Sequence, residues 1–114
     1  MKNNIILLIS FALFASCSAP KPLYTWANYE KTSYSYLKNS DEKSTQAILE
    51  DYQKILGAQK GTRGMAPPGI CADYGFLLLQ EGKTDEGKEL LNREISLYPE
   101  STIFIERILK MIEE

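Results

Sequence analysis

Two cysteines are the side chains of this sequence with the most distinctive chemistry. Cys17 ends an apolar run near the N-terminus, and Cys71 lies alone in the second half of the chain. A cysteine can act as a nucleophile, bind a metal or accept a covalent modification, and a catalytic thiolate usually depends on a neighbouring base. The sequence contains no histidine, the residue that most often supplies that base. We therefore expect Cys71 to be a buried structural residue.

The segment before Cys17 is typical of an export signal. Lys2 contributes positive charge, and an apolar run from Ile5 to Ala15 follows it, interrupted by Ser10. This run is too short to cross a bilayer, because a membrane-spanning helix needs about 20 apolar residues. Small residues directly before Cys17 suit cleavage at that point, so a cleavable signal is predicted.

The tetrad Phe14-Ala15-Ser16-Cys17 resembles the lipobox of bacterial lipoproteins, in which leucine is the usual residue at the position of Phe14. The resemblance implies that Cys17 carries a diacylglyceryl thioether and becomes the mature N-terminus. Two or three acyl chains would then anchor the protein in a membrane, since one chain binds only reversibly. In such lipoproteins, an aspartate directly after the cysteine tends to retain the protein in the inner membrane of enteric-type bacteria. Ser18 stands at this position, so the resemblance implies the periplasmic face of the outer membrane in a host that has one. A secretory signal with an unmodified cysteine is the alternative.

These features predict three parts of the chain. Residues 1–16 form the signal peptide, residues 17–23 form a lipidated tether that contains Pro20 and Pro22, and residues 24–114 form one domain. A domain of this length can bury a single hydrophobic core.

Composition and charge narrow the possible functions. Hydrophobic residues make up 44% of the chain and charged residues 25%, as in ordinary globular domains. The formal charge of −2 and the pI of about 5.2 argue against a nucleic-acid partner. The sequence shows no paired carboxylates at a catalytic spacing, no cluster of metal ligands and no nucleophile beside a base. We expect neither an enzyme nor a cofactor or metal site.

The domain is predicted to be all-α, with about five amphipathic helices and no convincing strand pattern. The first helix is expected over 25–38, and the second begins at Asn39 as N-cap, with Glu42 completing a capping box. A loop covers about 57–69, and the third helix is expected over 68–81. Thr84 and Ser101 are the predicted N-caps of the last two helices. Each helix is expected to turn one apolar face inward. In chain order, the five inner faces carry Tyr29 and Tyr36 on the first helix; Ile48, Tyr52 and Ile55 on the second; Cys71, Tyr74, Leu77 and Leu78 on the third; Leu91 and Tyr98 on the fourth; and Phe104, Ile105 and Ile108 on the fifth.

Residues 68–101 form a 34-residue unit of helix, short turn and helix, which resembles a tetratricopeptide repeat. Small residues at Gly75 and Gly87 would let the two helices approach closely. Glu94 stands where the repeat prefers alanine and Leu78 where it prefers tyrosine. The fold prediction is therefore a stack of tetratricopeptide-like helical hairpins, with a generic helical hairpin as the alternative.

Four stretches of the chain resemble a family of bacterial lipoproteins known as domain of unknown function 4810. They are LYTWANYEKTSYSYLKN at 23–39, PPG at 67–69, ADYGFLLLQEGKTDEGKELL at 72–91 and YPES at 98–101. The resemblance implies an outer-membrane lipoprotein with a helical-repeat fold. It also implies a partner, since such proteins tend to be encoded beside a lipoprotein similar to the curli secretion channel component. It implies no catalytic residues.

The first candidate site is one face of the third helix. Ala72, Phe76 and Leu79 recur at intervals of four and three residues, away from the face that carries Cys71 and Tyr74. In a tetratricopeptide stack, the first helix of each hairpin lines a groove that binds partner peptides. These residues would then contact a protein partner. Burial beneath the first helix is the alternative.

The second candidate is the aromatic cluster at 24–36. Aromatic rings stack on sugars, so this cluster could bind peptidoglycan or another glycan. Trp26, Tyr29 and Tyr36 share a helical stripe and are expected in the core, whereas Tyr34 lies off the stripe and is expected to face solvent. The sequence thus predicts a protein-interaction or assembly accessory in the cell envelope, and a glycan-binding module is the alternative.

Overall fold

A computed structural model describes residues 1–5 and 18–114 of the chain. Residues 18–114 form five α-helices and no strand, which confirms the predicted all-α class. Cys17 and residues 6–16 of the predicted signal lie outside the described residues. The helices are α1 (Tyr29–Asn39), α2 (Glu42–Gly57), α3 (Ile70–Gln80), α4 (Thr84–Leu97) and α5 (Thr102–Glu113), and a 3-10 turn at Pro99–Ser101 precedes α5.

The turn between α1 and α2 differs from the predicted one. Asn39 is the last residue of α1, and Ser40 adopts a left-handed conformation that ends the helix. Asp41 is the N-cap of α2, and its capping-box partner is Ser44 instead of Glu42. The extended backbone of Asp41 allows its carboxylate to accept the N–H of Ser44 at 2.8 Å.

The first helix begins later than predicted. Ala27 has a φ of 48°, a left-handed conformation that a helix cannot continue through, so α1 begins at Tyr29. Trp26 therefore lies outside the helix and is 44% exposed. Its predicted place in the core is wrong, while Tyr29 and Tyr36 pack against the core and remain half-buried.

The α3–α4 hairpin turns at Gly82, which has a φ of 80°. The N–H of Lys83 donates to the carbonyl of Leu78 at 2.8 Å and closes the end of α3. Thr84 is the first residue of α4 and not its cap, because Lys83 occupies the N-cap position without a side-chain hydrogen bond. Gly69, at a φ of 88°, similarly delays the start of α3 to Ile70.

The close approach of α3 and α4 at two glycines is confirmed. A Cβ built on Gly75 would lie 2.8 Å from the carbonyl oxygen of Gly87, and a Cβ on Gly87 would meet Gly75 and Leu79 equally closely. No side chain larger than hydrogen fits between the two backbones at this point. The hairpin geometry therefore depends on both glycines.

Helix α3 joins the two parts of the core. One cluster unites α2 with α3 and consists of Ile48, Tyr52, Ile55, Ile70, Tyr74, Leu77 and Leu78. The other unites α3, α4 and α5 and consists of Ala72, Leu91, Ile105 and Ile108. The predicted inner faces of α2 and α3 are confirmed. The prediction that Phe104 of α5 faces the core is wrong. Its side chain is 62% exposed, because it lies at the edge of the helix face on which Ile105 and Ile108 are buried.

Two buried carboxylates cap the helices that begin each hairpin. Glu94 of α4 is 1% exposed and accepts the N–H of Gly69 at 2.7 Å and that of Ala72 at 3.3 Å. Gly69 is the N-cap of α3 and Ala72 is its third residue. Their backbone amides are among the first four of a helix, which have no acceptor within the helix itself. Asp51 of α2 is also buried and accepts the N–H of Asn28, the N-cap of α1, at 3.4 Å. Glu94, predicted as an imperfection of the repeat, thus fixes the start of α3.

The end of the predicted tether, residues 17–23, forms hydrogen bonds with the domain, and the first of them involves Pro22. The carbonyls of Pro22 and Leu23 accept hydrogen bonds from the N–H groups of Thr62 and Arg63 at 3.0 and 3.1 Å. The Gln59 side chain also bonds the N–H and the carbonyl of residue 25. Ordered contacts thus begin a few residues after Cys17.

We predict that Gly75→Ala lowers the free energy of unfolding by about 1–3 kcal/mol, the usual cost of forcing a methyl group into a packed contact. Urea denaturation followed by circular dichroism measures this change. Gly57→Ala is the matched control, because nothing lies within 4 Å of a Cβ there. Equal stability of the two variants would contradict the close helix contact.

Candidate functional site

Helix α3 exposes one narrow stripe. Asp73, Phe76 and Gln80 follow each other at intervals of three and four residues and all face solvent, whereas seven of the 11 residues of α3 are buried. A helix that is apolar on nearly all sides is normally enclosed by its neighbours, so this stripe is its one accessible surface. Phe76 is 45% exposed there, although α3 is otherwise a core helix.

The three residues predicted as one binding face do not share the same environment. Ala72 is buried in the cluster with α4 and α5, and Leu79 is half-buried against that cluster. Phe76 alone of the three is exposed. The helical rotation of about 100° per residue explains the division, since it turns Phe76 by about 40° from Ala72, toward Asp73.

Two clefts flank Phe76. The first, of about 370 Å³, lies between α1 and α3 and also contacts α2, and the second, of about 300 Å³, lies between α3 and α5. Asp73 and Phe76 line both clefts and form the ridge between them. We call this surface, with its two clefts, the α3 groove.

Helix α5 supplies residues of the α3 groove that the sequence did not indicate. Phe104 and Met111 line the second cleft together with Ile108, and both are largely exposed. Their spacing of seven residues places them on one edge of α5. The signal in the sequence was the width of the apolar stripe on α5, which exceeds what one neighbouring helix can cover.

A hydrogen bond joins α1 to the ridge. The hydroxyl of Tyr29 donates to Oδ2 of Asp73 at 2.9 Å. Partial burial raises the pKa of Tyr29 to about 12, and the hydrogen bond and negative charge of Asp73 contribute to the shift. The phenol is therefore a neutral donor at physiological pH. The Tyr29 ring also packs on the core. Its centroid lies 5.9 Å from that of Tyr52, and the centroid of Tyr52 lies 5.2 Å from that of Tyr74.

A second surface lies at the start of α1. Trp26 and Tyr34 line an open depression of about 530 Å³ together with Asn28, Glu30 and Lys31. Tyr34 is 66% exposed, which confirms its predicted orientation, and the Lys38 ammonium lies 5.9 Å from its ring centroid. Two exposed aromatic rings with polar side chains between them can stack on a ligand and hydrogen-bond to it.

Cys71 has the environment of a structural residue. Its side chain is buried in α3, as predicted, and burial raises the pKa of the thiol to about 11. The thiol is protonated at neutral pH and is a poor nucleophile. Across residues 1–5 and 18–114, no group of three acidic, cysteine or histidine side chains is arranged to hold a metal ion. None of the helices in this part of the chain is both long and apolar enough to cross a membrane.

Comparison with known proteins identifies the family. Residues 23–108 match the family described as Domain of unknown function (DUF4810). The chain belongs to this family. The residues that line the first cleft lie between Tyr29 and Gln80, so the matched region includes all of them. No curated protein and no solved structure matches the chain.

We predict that Tyr29→Phe lowers the free energy of unfolding at pH 7 by about 1 kcal/mol, the usual contribution of one hydrogen bond. The pKa of Tyr29 is higher in the folded protein than the value of about 10 in an unfolded chain. Its contribution is thus complete below pH 10 and is lost as pH rises toward 12. Urea denaturation between pH 7 and 12 should show the difference between wild type and variant shrinking above pH 10. A constant difference over this range would contradict the prediction.

Proposed function

We propose that this DUF4810 protein is a lipoprotein, anchored through Cys17 to the periplasmic face of the outer membrane, that binds another envelope protein through the α3 groove. Its role would be to hold or assemble a complex, and we propose no catalytic activity for it. The proposed partner is an envelope lipoprotein, of the type similar to the curli secretion channel component. The observation that carries the proposal is Phe76, an exposed aromatic residue on a helix that is otherwise core.

The large apolar residues around Phe76 support a protein partner. Phe76, Phe104 and Met111 are each between 45% and 66% exposed and meet at one cleft. Aromatic residues and methionine are enriched in protein interfaces, where such side chains fill pockets of the partner. Contiguous exposed apolar groups of this kind commonly mark an interaction site.

The arrangement of helices supports a tetratricopeptide-like architecture. Helices α3 and α4 form a hairpin within the 34-residue unit predicted over 68–101, and their close contact at Gly75 and Gly87 suits such a repeat. Helices α1 and α2 form a second hairpin, and α5 follows as a terminal helix. Helices α1, α3 and α5 then line the α3 groove, as the first helices of successive hairpins do in such a stack.

The short tether supports action close to a membrane. If Cys17 carries the lipid, residues 18–21 alone separate it from the first hydrogen-bonded residue, Pro22. The five residue steps from Cys17 to Pro22 span at most about 18 Å. The domain would stay against the bilayer surface, so its partners would be membrane-bound or membrane-proximal proteins.

We predict that Cys17→Ser abolishes incorporation of radiolabelled palmitate and releases the protein from the membrane fraction. Lipid attachment requires the thiol, and the remaining chain would have no acyl chains in the bilayer. Cys71→Ser is the matched control, since it changes the buried cysteine and should leave labelling intact. Retention of palmitate in the Cys17→Ser protein would contradict the proposed anchor.

We predict that Phe76→Glu abolishes recovery of the partner when the lipoprotein is affinity-purified from its own envelope. The variant replaces the apolar ring between the two clefts with a second carboxylate near Asp73, and the fold should persist because the side chain is already exposed. Tyr34→Glu is the control, because Tyr34 is an exposed aromatic residue outside both clefts. Equal recovery with Phe76→Glu and wild type, measured by quantitative mass spectrometry, would exclude the α3 groove as the binding surface.

The depression beside Trp26 supports a second candidate function, binding of peptidoglycan or another glycan. Trp26 is the one tryptophan of the chain, so its fluorescence reports directly on this surface. If a sugar stacks on the ring, titration with muropeptides should change the emission of wild type in a saturable way and should have a weaker effect on Tyr34→Ala. An unchanged emission at millimolar muropeptide would exclude this function.

A further inference from the structure

Asp73 is the one charged side chain among the residues that line the two clefts of the α3 groove. All the other lining residues are apolar or neutral. Within residues 18–114, Asp73 forms no ion pair, and its one side-chain hydrogen bond comes from the Tyr29 hydroxyl to Oδ2. The groove therefore carries a single carboxylate that is not paired with a cationic side chain of residues 18–114.

A partner that filled both clefts would remove this carboxylate from water. Burial of an unpaired charge is strongly unfavourable, and one phenol satisfies only part of the acceptor capacity of a carboxylate. A partner with an apolar or acidic side chain at this point would bind poorly for that reason. A lysine or arginine at this point would compensate the charge and supply the missing donors.

The clefts also restrict the backbone of the partner. An extended segment would place its N–H and carbonyl groups against walls that offer few polar atoms, whereas a helix satisfies its own backbone hydrogen bonds. The exposed stripe of α3 extends from Asp73 to Gln80, about 10 Å along the helix axis. Two turns of a helix packed against it would bring apolar side chains into both clefts.

We propose that the α3 groove binds an amphipathic helix that inserts apolar side chains on both sides of Phe76 and pairs a lysine or arginine with Asp73. This inference rests on the proposed function and names the chemistry of its partner. Asp73 determines which apolar helices are accepted, because it rejects those that lack a basic residue at the matching position.

The test uses a photo-reactive phenylalanine analogue, placed at Leu37 for the first cleft or at Phe104 for the second, in the full chain expressed in its own host. Both positions should cross-link to one helical segment of the same partner, with a lysine or arginine within one turn of the linked residues. Asp73→Lys should lower the cross-linking yield about tenfold or more, and Asp73→Asn less. Glu106→Lys, which changes an exposed charge outside the clefts, should leave the yield unchanged.

A charge exchange completes the test. Replacing the partner's basic residue by glutamate should restore cross-linking to the Asp73→Lys chain, an outcome that a misfolded variant could not give. Full cross-linking of Asp73→Lys, a linked segment without a basic residue, or linkage to a second copy of this chain would overturn the inference and leave a protein-binding groove in place. Failure of both positions to cross-link to any protein would contradict the proposed function as well.

Discussion

The hydrogen bonds from the start of α3 to the buried carboxylate of Glu94 are the interaction on which the rest of the structure depends. The segment before α3 is Pro67-Pro68-Gly69, which offers no side chain that could accept the first amides of the helix. Glu94 supplies both acceptor oxygens from the neighbouring helix, at the positive end of the α3 dipole. Asp51 serves the start of α1 in a similar way, so in each hairpin the second helix fixes the beginning of the first.

This constraint explains why α3 presents so little surface. Its start is held by α4, its middle is pressed against α4 at Gly75, and its remaining sides pack on α2 and α5. What remains accessible is the stripe of Asp73, Phe76 and Gln80. Phe76 is therefore held on a rigid element between two clefts. Binding of a partner would cost little conformational entropy in the groove, because its side chains are already fixed in place. The recognition chemistry proposed for Asp73 depends on the same rigidity.

The local patterns of the sequence predicted much of the fold and part of the site. Apolar spacing identified the inner faces of α2 and α3, and the glycines at 75 and 87 indicated the close helix contact. Contacts between distant residues could not be predicted in this way. Glu94 looked like a departure from a repeat because its partners lie more than 20 residues earlier in the chain. Trp26 followed the helical spacing of the tyrosines, but the left-handed backbone at Ala27 keeps it outside the helix. Phe104 was predicted to be buried because periodicity does not show which part of an apolar stripe lacks a neighbouring helix.

Hydrogen exchange of the backbone amides of Gly69 and Ala72, followed by NMR, tests this account most directly. Amides in the first turn of a helix normally exchange rapidly, because they have no partner within the helix. If Glu94 holds the start of α3, these two amides should be protected as strongly as those in the middle of the helix, and Glu94→Ala should remove that protection. Rapid exchange of both amides in the wild-type protein would contradict the central claim.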